Sequence, residues 1–554
     1  MQLSRPLIRY LPIAAGTLMI LFVLALTGRP GVFADTDDYL VNGRNTVMTV
    51  AYALHLKTAP EPSDDPDDIA QDRQDQLEQR LQFGSRTPWY GVPLYALQKL
   101  GTLWLVAAAQ AAIAAWLIWL MWRTLAPASP RWTAYAAQGA GALGSTLPFF
   151  AGFALPDVFA GFTALCVALL LGGLETLAPL EIAGLTALLA YCATVHSSHA
   201  LLIAGLLVGG SAVAWLLGRP RTALLRGAGC VAGALVVGAA LGVLSMAALK
   251  WTTGDTPGRP PFLSVRLLAD GPGRAYLQHA CGHGQDYALC KFKDLPLDDT
   301  EEILWSDNAK LGVYETSDYP MRLRLVREDL RFAVGTLLYD PVRVAAAALR
   351  NWGAQIVRVT AVEPLRDPYF YLTNGYWKDT NLPTLVYAMG GPCGVDHHGC
   401  KPRFGPAASR WLDGMAFVLA LGAIGWRLFQ RDIVPLPPPP TGGVRGGGPR
   451  RLWTWSNLAG VAGHFSRVAV AEASRPPTLD PSRWRRGEGN VSRTATILVI
   501  VLGALALNAL ICGAISGPFD RYQARISWIA VVAAAAAMAG MVGRRREPTA
   551  PPSP

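Results

Sequence analysis

Three carboxylates lie within four positions of the chain, at Asp35, Asp37 and Asp38. They follow an apolar stretch long enough to cross a membrane, so they would stand at the membrane surface. Mutual repulsion and partial loss of water in such a place can raise a carboxyl pKa and leave one group ready to accept a proton. The structural alternative is that Asp37 caps a helix that starts near Asp38 and runs towards Leu54.

Further ionisable side chains lie near the ends of other apolar stretches, where they face a cavity or a partner because lipid exposure is costly. Two cations four residues apart, Arg521 and Arg525, could grip a phosphate group. Ordinary roles are also open to this set, such as helix capping, snorkelling or interfacial placement. The remaining members are Asp157, Arg86, His196, His199, Tyr39, Tyr90 and Tyr522.

Membrane spans are the elements that must position these groups. The chain is 51% hydrophobic and 16% charged, against about 25% charge in soluble domains, which excludes disorder and a small disulfide scaffold. A bilayer core of about 30 Å needs roughly 20 apolar residues per helix. Ten segments qualify, at 8–27, 95–121, 133–153, 157–175, 180–195, 199–217, 227–249, 409–428, 495–515 and 526–543.

Arginine placement orients these spans, because Lys and Arg resist translocation in short loops. With ten spans, every cluster falls on one side, and both termini are cytoplasmic. Because the clusters follow topology and form no basic face interleaved with aromatics, nucleic acid is not an expected partner. The clusters are Arg5 with Arg9, Arg123 with Arg131, Arg219 to Arg226, Arg427 with Arg431, Arg483 to Arg493, and Arg544 to Arg546.

The sequence thus predicts an all-α polytopic membrane protein with about ten transmembrane helices and a mainly helical extracytoplasmic loop domain. We interpret residues 1–27 as an uncleaved anchor helix in preference to a cleaved signal peptide, since the apolar run is long. The other predicted regions are a first extracytoplasmic loop at 28–94, helices 2–7 at 95–249, a large extracytoplasmic loop at 250–408, helix 8 at 409–428, a basic Pro/Gly-rich cytoplasmic linker at 429–494, helices 9–10 at 495–543 and a cytoplasmic tail at 544–554.

Four of the eight cysteines lie in the large loop, where an oxidising compartment favours two local disulfides. The expected bridges are Cys281–Cys290 and Cys393–Cys400. Two histidines between the second pair leave metal binding as an alternative there, although adjacent histidines fit tetrahedral geometry poorly. We therefore expect no metal site from this loop.

The same loop contains an amphipathic pattern that begins at Pro341, a residue suited to a first helical turn. Val342, Leu349 and Trp352 fall on one face, and Arg343 lies opposite. Two placements remain open for this helix. It could lie along the membrane interface with its arginines near lipid phosphates, or pack on the loop's own core.

These motifs together resemble the GT-C superfamily of polytopic glycosyltransferases. The resemblance rests on acids and a tyrosine directly after the first span (Asp35 to Tyr39), on Arg-x-Pro-x-Tyr before the second (Arg86 to Tyr90), on Pro156-Asp157, and on Arg521-Tyr522 before the last span. It covers residues 1–200 as a pattern, is faint at 515–530 and does not extend to the 250–408 loop. Family members usually carry Asp-Glu or one Asp in the first loop, so three aspartates leave the catalytic one open.

The resemblance implies transfer of a sugar from a polyprenyl-phosphate donor to an extracytoplasmic glycan, lipid or protein. A carboxylate would take the acceptor proton, with Asp37 or Asp38 favoured, Asp35 next, and Asp157 orienting the acceptor or sharing the role. Arg86, Arg521, Arg525, His196 and His199 would hold the donor phosphate, and Tyr39, Tyr90 and Tyr522 would line the groove. No cofactor is firmly implied, though a divalent metal would be compatible, and the expected location is the bacterial plasma (inner) membrane.

Two other classes of protein remain as alternatives. A transporter or export component would place its ionisable groups near the bilayer midplane, often in repeated halves, and the chain shows neither feature. A non-catalytic scaffold would use the 250–408 loop to bind a partner. A structure that places Asp37 or Asp38 beside Asp157 and Arg521 around one lateral groove would favour the enzyme. A midplane cavity lined by other polar residues would favour transport.

Overall fold

The computed structural model describes residues 5–27, 30–31, 34–58, 86–100, 103–253, 259–360, 406–430 and 488–544. Every regular element in these ranges is helical. The α-helices are α1 (Arg5–Thr27), α2 (Ala34–Ala53), α3 (Pro88–Leu100), α4 (Leu103–Leu125), α5 (Trp132–Leu143), α6 (Leu147–Gly152), α7 (Phe159–Gly172), α8 (Pro179–Val195), α9 (Ser197–Leu216), α10 (Arg221–Thr253), α11 (Phe262–Asp270), α12 (Pro272–Gly282), α13 (Thr300–Trp305), α14 (Tyr319–Tyr339), α15 (Pro341–Ile356), α16 (Pro406–Phe429), α17 (Glu488–Ile515) and α18 (Asp520–Arg544).

The helix content and the long apolar helices are those of an all-α membrane protein. By length and composition, six helices in the described ranges can cross a membrane, or seven if the bent pair α14–α15 counts as one span. The prediction of about ten spans is not met. The predicted third span is two short helices, α5 and α6, separated at Gly144, and α1, α7 and α8 are apolar over only 10–17 residues.

Helix α7 lies at the centre of the bundle. All of its 14 residues are buried, from Phe159 to Gly172, and their side chains are apolar almost all the way round the helix. A helix with that composition is stable only when protein surrounds it on every side. Helices α9, α17, α8, α10, α18 and α4 pack against it.

Helices α2 and α3 approach each other through two glycines. A side chain on Gly43 would overlap the carbonyl group of Gly91, and one on Gly91 would overlap the carbonyl oxygen of Tyr39. Only glycine permits backbones to come this close. The contact fixes the start of α2 beside Arg86, which lies two residues before α3.

The end of the bundle that lies far from α2 and α3 carries two ion pairs. Arg123 donates to Glu181 and also to the carbonyl oxygen of Thr176, and Arg219 pairs with Glu175. Both arginines belong to clusters that the sequence predicts to be cytoplasmic. The pairs connect the ends of α4, α8 and α10, so these arginines stabilise packing at that end as well.

A second hydrophobic core lies in residues 262–332, which belong to the large loop. Phe332, Leu268 and Ile303 are completely buried in it. Asp299 and Asp318 accept hydrogen bonds from the first-turn amides of α13 and α14, so the acidic residues of this segment act as helix caps. The mainly helical loop domain is therefore present over the described residues.

The disulfide Cys281–Cys290 is confirmed, with a Cα–Cα distance of 5.8 Å between α12 and the short helix Ala288–Phe292. The second predicted bridge, Cys393–Cys400, lies outside the described residues. Residues 59–85 of the predicted first loop and most of the 429–494 linker also lie outside them.

Candidate active site

Three separate helix starts bring the ionisable residues together at one end of the bundle. Asp35 and Asp38 lie in the first turns of α2, Asp157 lies in the short helix Pro156–Val158, and Arg521 and Arg525 lie in the first turns of α18. Because these starts converge, side chains from distant parts of the chain meet.

Backbone pairing holds the first two of these starts in place. The amide of Gly31 donates to the carbonyl oxygen of Gly152 at 2.9 Å, and the amide of Ala154 donates back to Gly31 at 3.0 Å. The hydroxyl of Thr36 then donates to the carbonyl oxygen of Ala154 at 3.3 Å. The chain after α1 is thus attached to the turn that carries Asp157.

The more open side of the site is a carboxylate–guanidinium network. Arg86 Nη2 donates to Asp35 Oδ1 at 2.5 Å, and Arg86 Nε lies 3.7 Å from Asp38 Oδ2. Arg521 Nη2 lies 3.6 Å from Asp35 Oδ2. The side chains of Asp35 and Asp38 retain 24% and 31% exposure, so this side is accessible to a molecule outside the bundle.

The inner side of the site is closed. Arg525 Nη1 donates to Asp157 Oδ1 at 2.9 Å, and these side chains are only 1% and 7% exposed. Arg525 Nη2 also donates to the hydroxyl of Ser198 at 3.1 Å and lies 3.3 Å from the sulfur of Cys512. This guanidinium therefore joins α18 to the 156–158 turn, α9 and α17.

Arg521 connects the open and closed sides. Its Nη2 lies 3.6 Å from Asp35 and its Nε lies 4.0 Å from Asp157, so one guanidinium spans the carboxylates of two distant segments. The described members of the network are Asp35, Asp38, Asp157, Arg86, Arg521 and Arg525. We call these six residues the Asp–Arg cluster. Its three carboxylates and three guanidiniums cancel in formal charge.

The expectation of a raised pKa in the first-loop acids is wrong for Asp35. Burial alone would raise the pKa of this carboxyl, but the positive charges of Arg86 and Arg521 together outweigh burial and lower it. Repulsion between neighbouring acids is not the deciding effect, because two arginines lie among them. Asp35 is therefore ionised at neutral pH.

Helix α2 also begins earlier than predicted, at Ala34. Asp37 consequently lies within the first turn and not at an N-cap preceding Asp38. The side chain of Asp37 lies outside the described residues, so its place relative to the Asp–Arg cluster stays a prediction.

The two histidines lie beside the cluster, with their ring centroids 5.3 Å apart. Burial, followed by the positive charges of Arg525, Arg86 and Arg521, lowers the pKa of His196 well below its usual value. His196 Nδ1 accepts from the amide and the hydroxyl of Ser198. His196 is thus neutral and can take part in hydrogen bonds without carrying a charge.

The predicted groove tyrosines occupy two places. Tyr39 and Tyr90 form an edge-to-face pair with centroids 5.2 Å apart, and both are buried. Tyr522 lies between the two guanidiniums, whose Cζ atoms are 5.3 Å (Arg521) and 5.2 Å (Arg525) from its ring centroid. Its aromatic face therefore stabilises two like charges that lie one helical turn apart.

The turn before α18 is held by the loop domain. Gln355 exchanges two hydrogen bonds with the backbone of Phe519, at 2.8 and 2.9 Å, and Arg358 pairs with Asp520 at 2.9 Å. Gly517 has a φ of +138°, a conformation that side chains disfavour, so a glycine is needed at this turn. These contacts set where α18 starts and hence where its arginines point.

Sequence reasoning missed three polar residues that complete the site. Asn508 and Cys512 lie within α17, and Gln110 lies within α4, where it accepts from Tyr90 and donates to the carbonyl oxygens of Ala151 and Phe153. These residues could have been identified from the sequence, because a polar residue inside an apolar span is buried and needs a partner. No group of three His, Cys, Asp or Glu side chains in the described ranges is arranged to hold a metal ion.

Comparisons of this chain with protein-family models, with curated proteins and with solved structures return no match.

Proposed function

We propose that this protein is a membrane glycosyltransferase that moves a sugar from a polyprenyl-phosphate donor to an extracytoplasmic acceptor. The observation that carries the proposal is the position of Arg521, between Asp35 and Asp157, at the shared end of three helix starts. The convergence is the arrangement that the sequence-based interpretation requires, since base and phosphate ligands must reach one reacting carbon.

The Arg excess of the short loops supports placing this end of the bundle outside the cytoplasm. Arg123 and Arg219 lie at the opposite end from the Asp–Arg cluster. By the positive-inside rule that opposite end is cytoplasmic. A bacterial inner-membrane location with both termini inside remains part of the proposal.

Asp38 is the best candidate for the base among the described carboxylates. Asp35 is held ionised by two arginines, and a carboxylate with a lowered pKa is a weaker proton acceptor. Asp38 is the more exposed of the two, and its Oδ2 is 3.7 Å from Arg86. Asp157 is enclosed with Arg525, so it supports Arg521 from the inner side.

The reaction assigned to these groups is a displacement at the anomeric carbon of the donor sugar. The acceptor oxygen bonds to that carbon while its proton passes to Asp38, and the bond from the carbon to the phosphate oxygen breaks. The phosphate leaves with the bonding electron pair, and Arg521 and Arg86 stabilise the charge that develops on it. His196, being neutral, supplies a hydrogen bond at the edge of the same site.

The test is a cell-envelope glycan profile by mass spectrometry of strains carrying Asp38→Asn, Asp286→Asn or wild-type protein, alongside a deletion strain. Removing the base lowers transfer about 10²- to 10⁴-fold, so Asp38→Asn is expected to match the deletion. Asp286→Asn is the matched control, because Asp286 is an exposed carboxylate of the loop domain that pairs with Arg324, away from the cluster. Unchanged glycans in Asp38→Asn, with normal protein levels and an altered deletion strain, would remove Asp38 from the base role.

The proposal as a whole has a separate test. A triple variant, Asp35→Asn, Asp38→Asn and Arg521→Gln, removes both exposed carboxylates and the connecting guanidinium. A wild-type glycan profile from this variant at normal expression would refute a glycosyltransferase site here. Loss of transport of a lipid-linked sugar, with sugar transfer intact in isolated membranes, would instead favour an export component.

A further inference from the structure

Helices α14 and α15 form an elbow, bent by 107° where the two meet, and its outer surface is apolar. The exposed apolar side chains recur at helical spacing along each arm. We call these residues the elbow ridge: Leu330, Val334, Leu337, Leu338, Tyr339, Val342 and Leu349.

Helix α15 exposes apolar side chains and buries polar ones, the reverse of what is expected for a helix in water. Val342 and Leu349 are 76% and 59% exposed, whereas Asn351 and Gln355 on the other side are buried. Asn351 donates to both carboxylate oxygens of Asp270 at 2.9 Å, which accounts for its burial. In water an amphipathic helix buries its apolar face, so an exposed apolar face indicates an apolar medium outside it.

The position of α15 along a membrane span supplies an independent observation. Trp352 Nε1 donates to the carbonyl oxygen of Ala506 at 3.0 Å. Ala506 is nine residues before Ile515, where α17 ends, which is about 14 Å along a helix axis. Half of a bilayer core is about 15 Å, so the Trp352 side chain of α15 reaches a point on α17 at the depth of one leaflet.

Close packing confirms that α15 lies along the side of α17. A Cβ on Gly513 of α17 would come within 2.7 Å of the carbonyl oxygen of Asn351. The glycine therefore lets the two helices approach closely, as small residues do between helices in membranes. Since this side of α15 is occupied by α17, its exposed ridge faces away from the bundle, into the space where lipid surrounds the span.

Arginines flank the ridge on both arms. The side chains of Arg343 and Arg350 are 73% and 65% exposed, and Arg327 and Arg331 are exposed on α14. Arg343 lies 3.4 Å from Asp340, and Arg350 lies 3.7 Å from Asp270. Long cationic side chains beside an apolar face reach phospholipid phosphates while their stems stay in the apolar layer.

From these observations we infer that the elbow ridge is inserted into the lipid leaflet at the site end of the bundle. Its partner is the phospholipid bilayer itself, with acyl chains against Leu338 and Leu349 and headgroup phosphates at the flanking arginines. The elbow is thus a membrane-embedded part of the loop domain. Gln355, near the end of α15, and Arg358, just after it, hold the start of α18.

The test uses an environment-sensitive fluorophore attached to Leu338→Cys or Leu349→Cys in the full chain. The protein is reconstituted into vesicles of phosphatidylcholine and phosphatidylglycerol, and parent protein labelled in parallel corrects for native cysteines. Quenching is measured with nitroxide-labelled lipid chains and with aqueous iodide. Val243→Cys, 69% exposed on α10, is the lipid-facing control, and Lys310→Cys is the aqueous one.

The expected result is lipid-nitroxide quenching at least half as strong as at Val243, with iodide quenching several-fold weaker than at Lys310. Iodide quenching equal to that at Lys310 would overturn the inference. Protection from both quenchers would also overturn it, because that outcome means a protein partner covers the ridge. Val334→Cys, on the other arm, gives the same readout if either first variant does not fold.

Discussion

Arg525 donates from Nη1 to Asp157 Oδ1 at 2.9 Å, although the two residues are 368 positions apart in the chain. Both side chains are almost completely enclosed, so neither charge is stabilised by water. A buried ion pair of this kind depends on its full set of partners, which here includes Ser198 and Asn508. The closed side of the site is therefore held by the Arg525 guanidinium, which contacts Asp157, Ser198, Asn508 and Cys512.

Asp157→Asn is expected to destabilise the protein strongly, because it leaves the Arg525 charge buried without its carboxylate. Removing one partner of a buried pair costs about 3–5 kcal/mol. Asp520→Asn removes a pair with a 41% exposed arginine and should cost about 0–1 kcal/mol. Thermal unfolding of both variants in the same detergent measures the difference, and equal shifts would contradict a buried, uncompensated Arg525.

Arg86→Gln is expected to make stability less dependent on acid pH. The pKa of Asp35 in the folded protein lies below its ordinary value of 3.8, so its contribution is present above that pH and is lost as the pH falls through the folded pKa. Without Arg86, burial has a larger share and the folded pKa rises, so this contribution shrinks and the stabilities of wild type and variant converge as the pH falls. Melting temperatures of wild type and Arg86→Gln between about pH 3 and pH 7 test this.

Arg358→Gln controls for the removal of an arginine in general, since Arg358 pairs with Asp520 and not with Asp35. Its melting curve should stay parallel to that of the wild type over the same range. If Arg86→Gln is also parallel to wild type, the arginine is not what lowers the Asp35 pKa.

Gly43→Ala is expected to separate α2 from α3 and to weaken the Asp35–Arg86 contact. Its Cβ would overlap the Gly91 backbone, and overpacking of this kind costs about 1–3 kcal/mol. Gly139→Ala in α5 is the control, because a Cβ there meets nothing within 4 Å and alanine favours the helix by up to about 1 kcal/mol. Thermal unfolding should order the variants Gly139→Ala, wild type, Gly43→Ala, and the reverse order would refute the close approach.

Replacing Cys281 and Cys290 together by serine should loosen the loop domain without disturbing the bundle. The bridge closes a short loop with a sequence separation of 9, for which chain entropy gives about 2–3 kcal/mol. Faster limited proteolysis within 262–339, with the spans still protected, is the expected outcome. Peptide mapping under non-reducing conditions checks that the bridge is present in the wild-type protein.

The sequence is informative about this site because its ionisable residues stand next to apolar runs. Asp157, Arg521 and Arg525 are noticeable for that reason, and the structure places them in contact. What the sequence could not supply was which charge meets which. The two arginines were expected to bind a phosphate, but in the structure each lies against a carboxylate. The pairing arises because the fold brings the 156–158 turn next to the start of α18.

Span counting failed for a physical reason as well. A hydropathy window responds to apolar composition and stays high across the break at Gly144, where the backbone stops being helical. In the same way, the amphipathic pattern predicted a helix that starts at Pro341, as α15 does, but could not tell which medium its apolar face meets. The burial of Asn351 and Gln355 shows which face of α15 packs on protein. Their partners, Asp270 and Phe519, are far away in sequence, so the pattern within the helix could not identify them.

The cancellation of charge in the Asp–Arg cluster has a consequence for how an anion would enter. Each guanidinium already lies within reach of a carboxylate, so an incoming phosphate would compete with Asp35 or Asp157 for these cations. Entry is then a competition between anions at a fixed set of cations, not attraction into a region of net positive charge. A cluster without net formal charge leaves little field for salt to screen, so capture of the anion should vary only weakly with ionic strength.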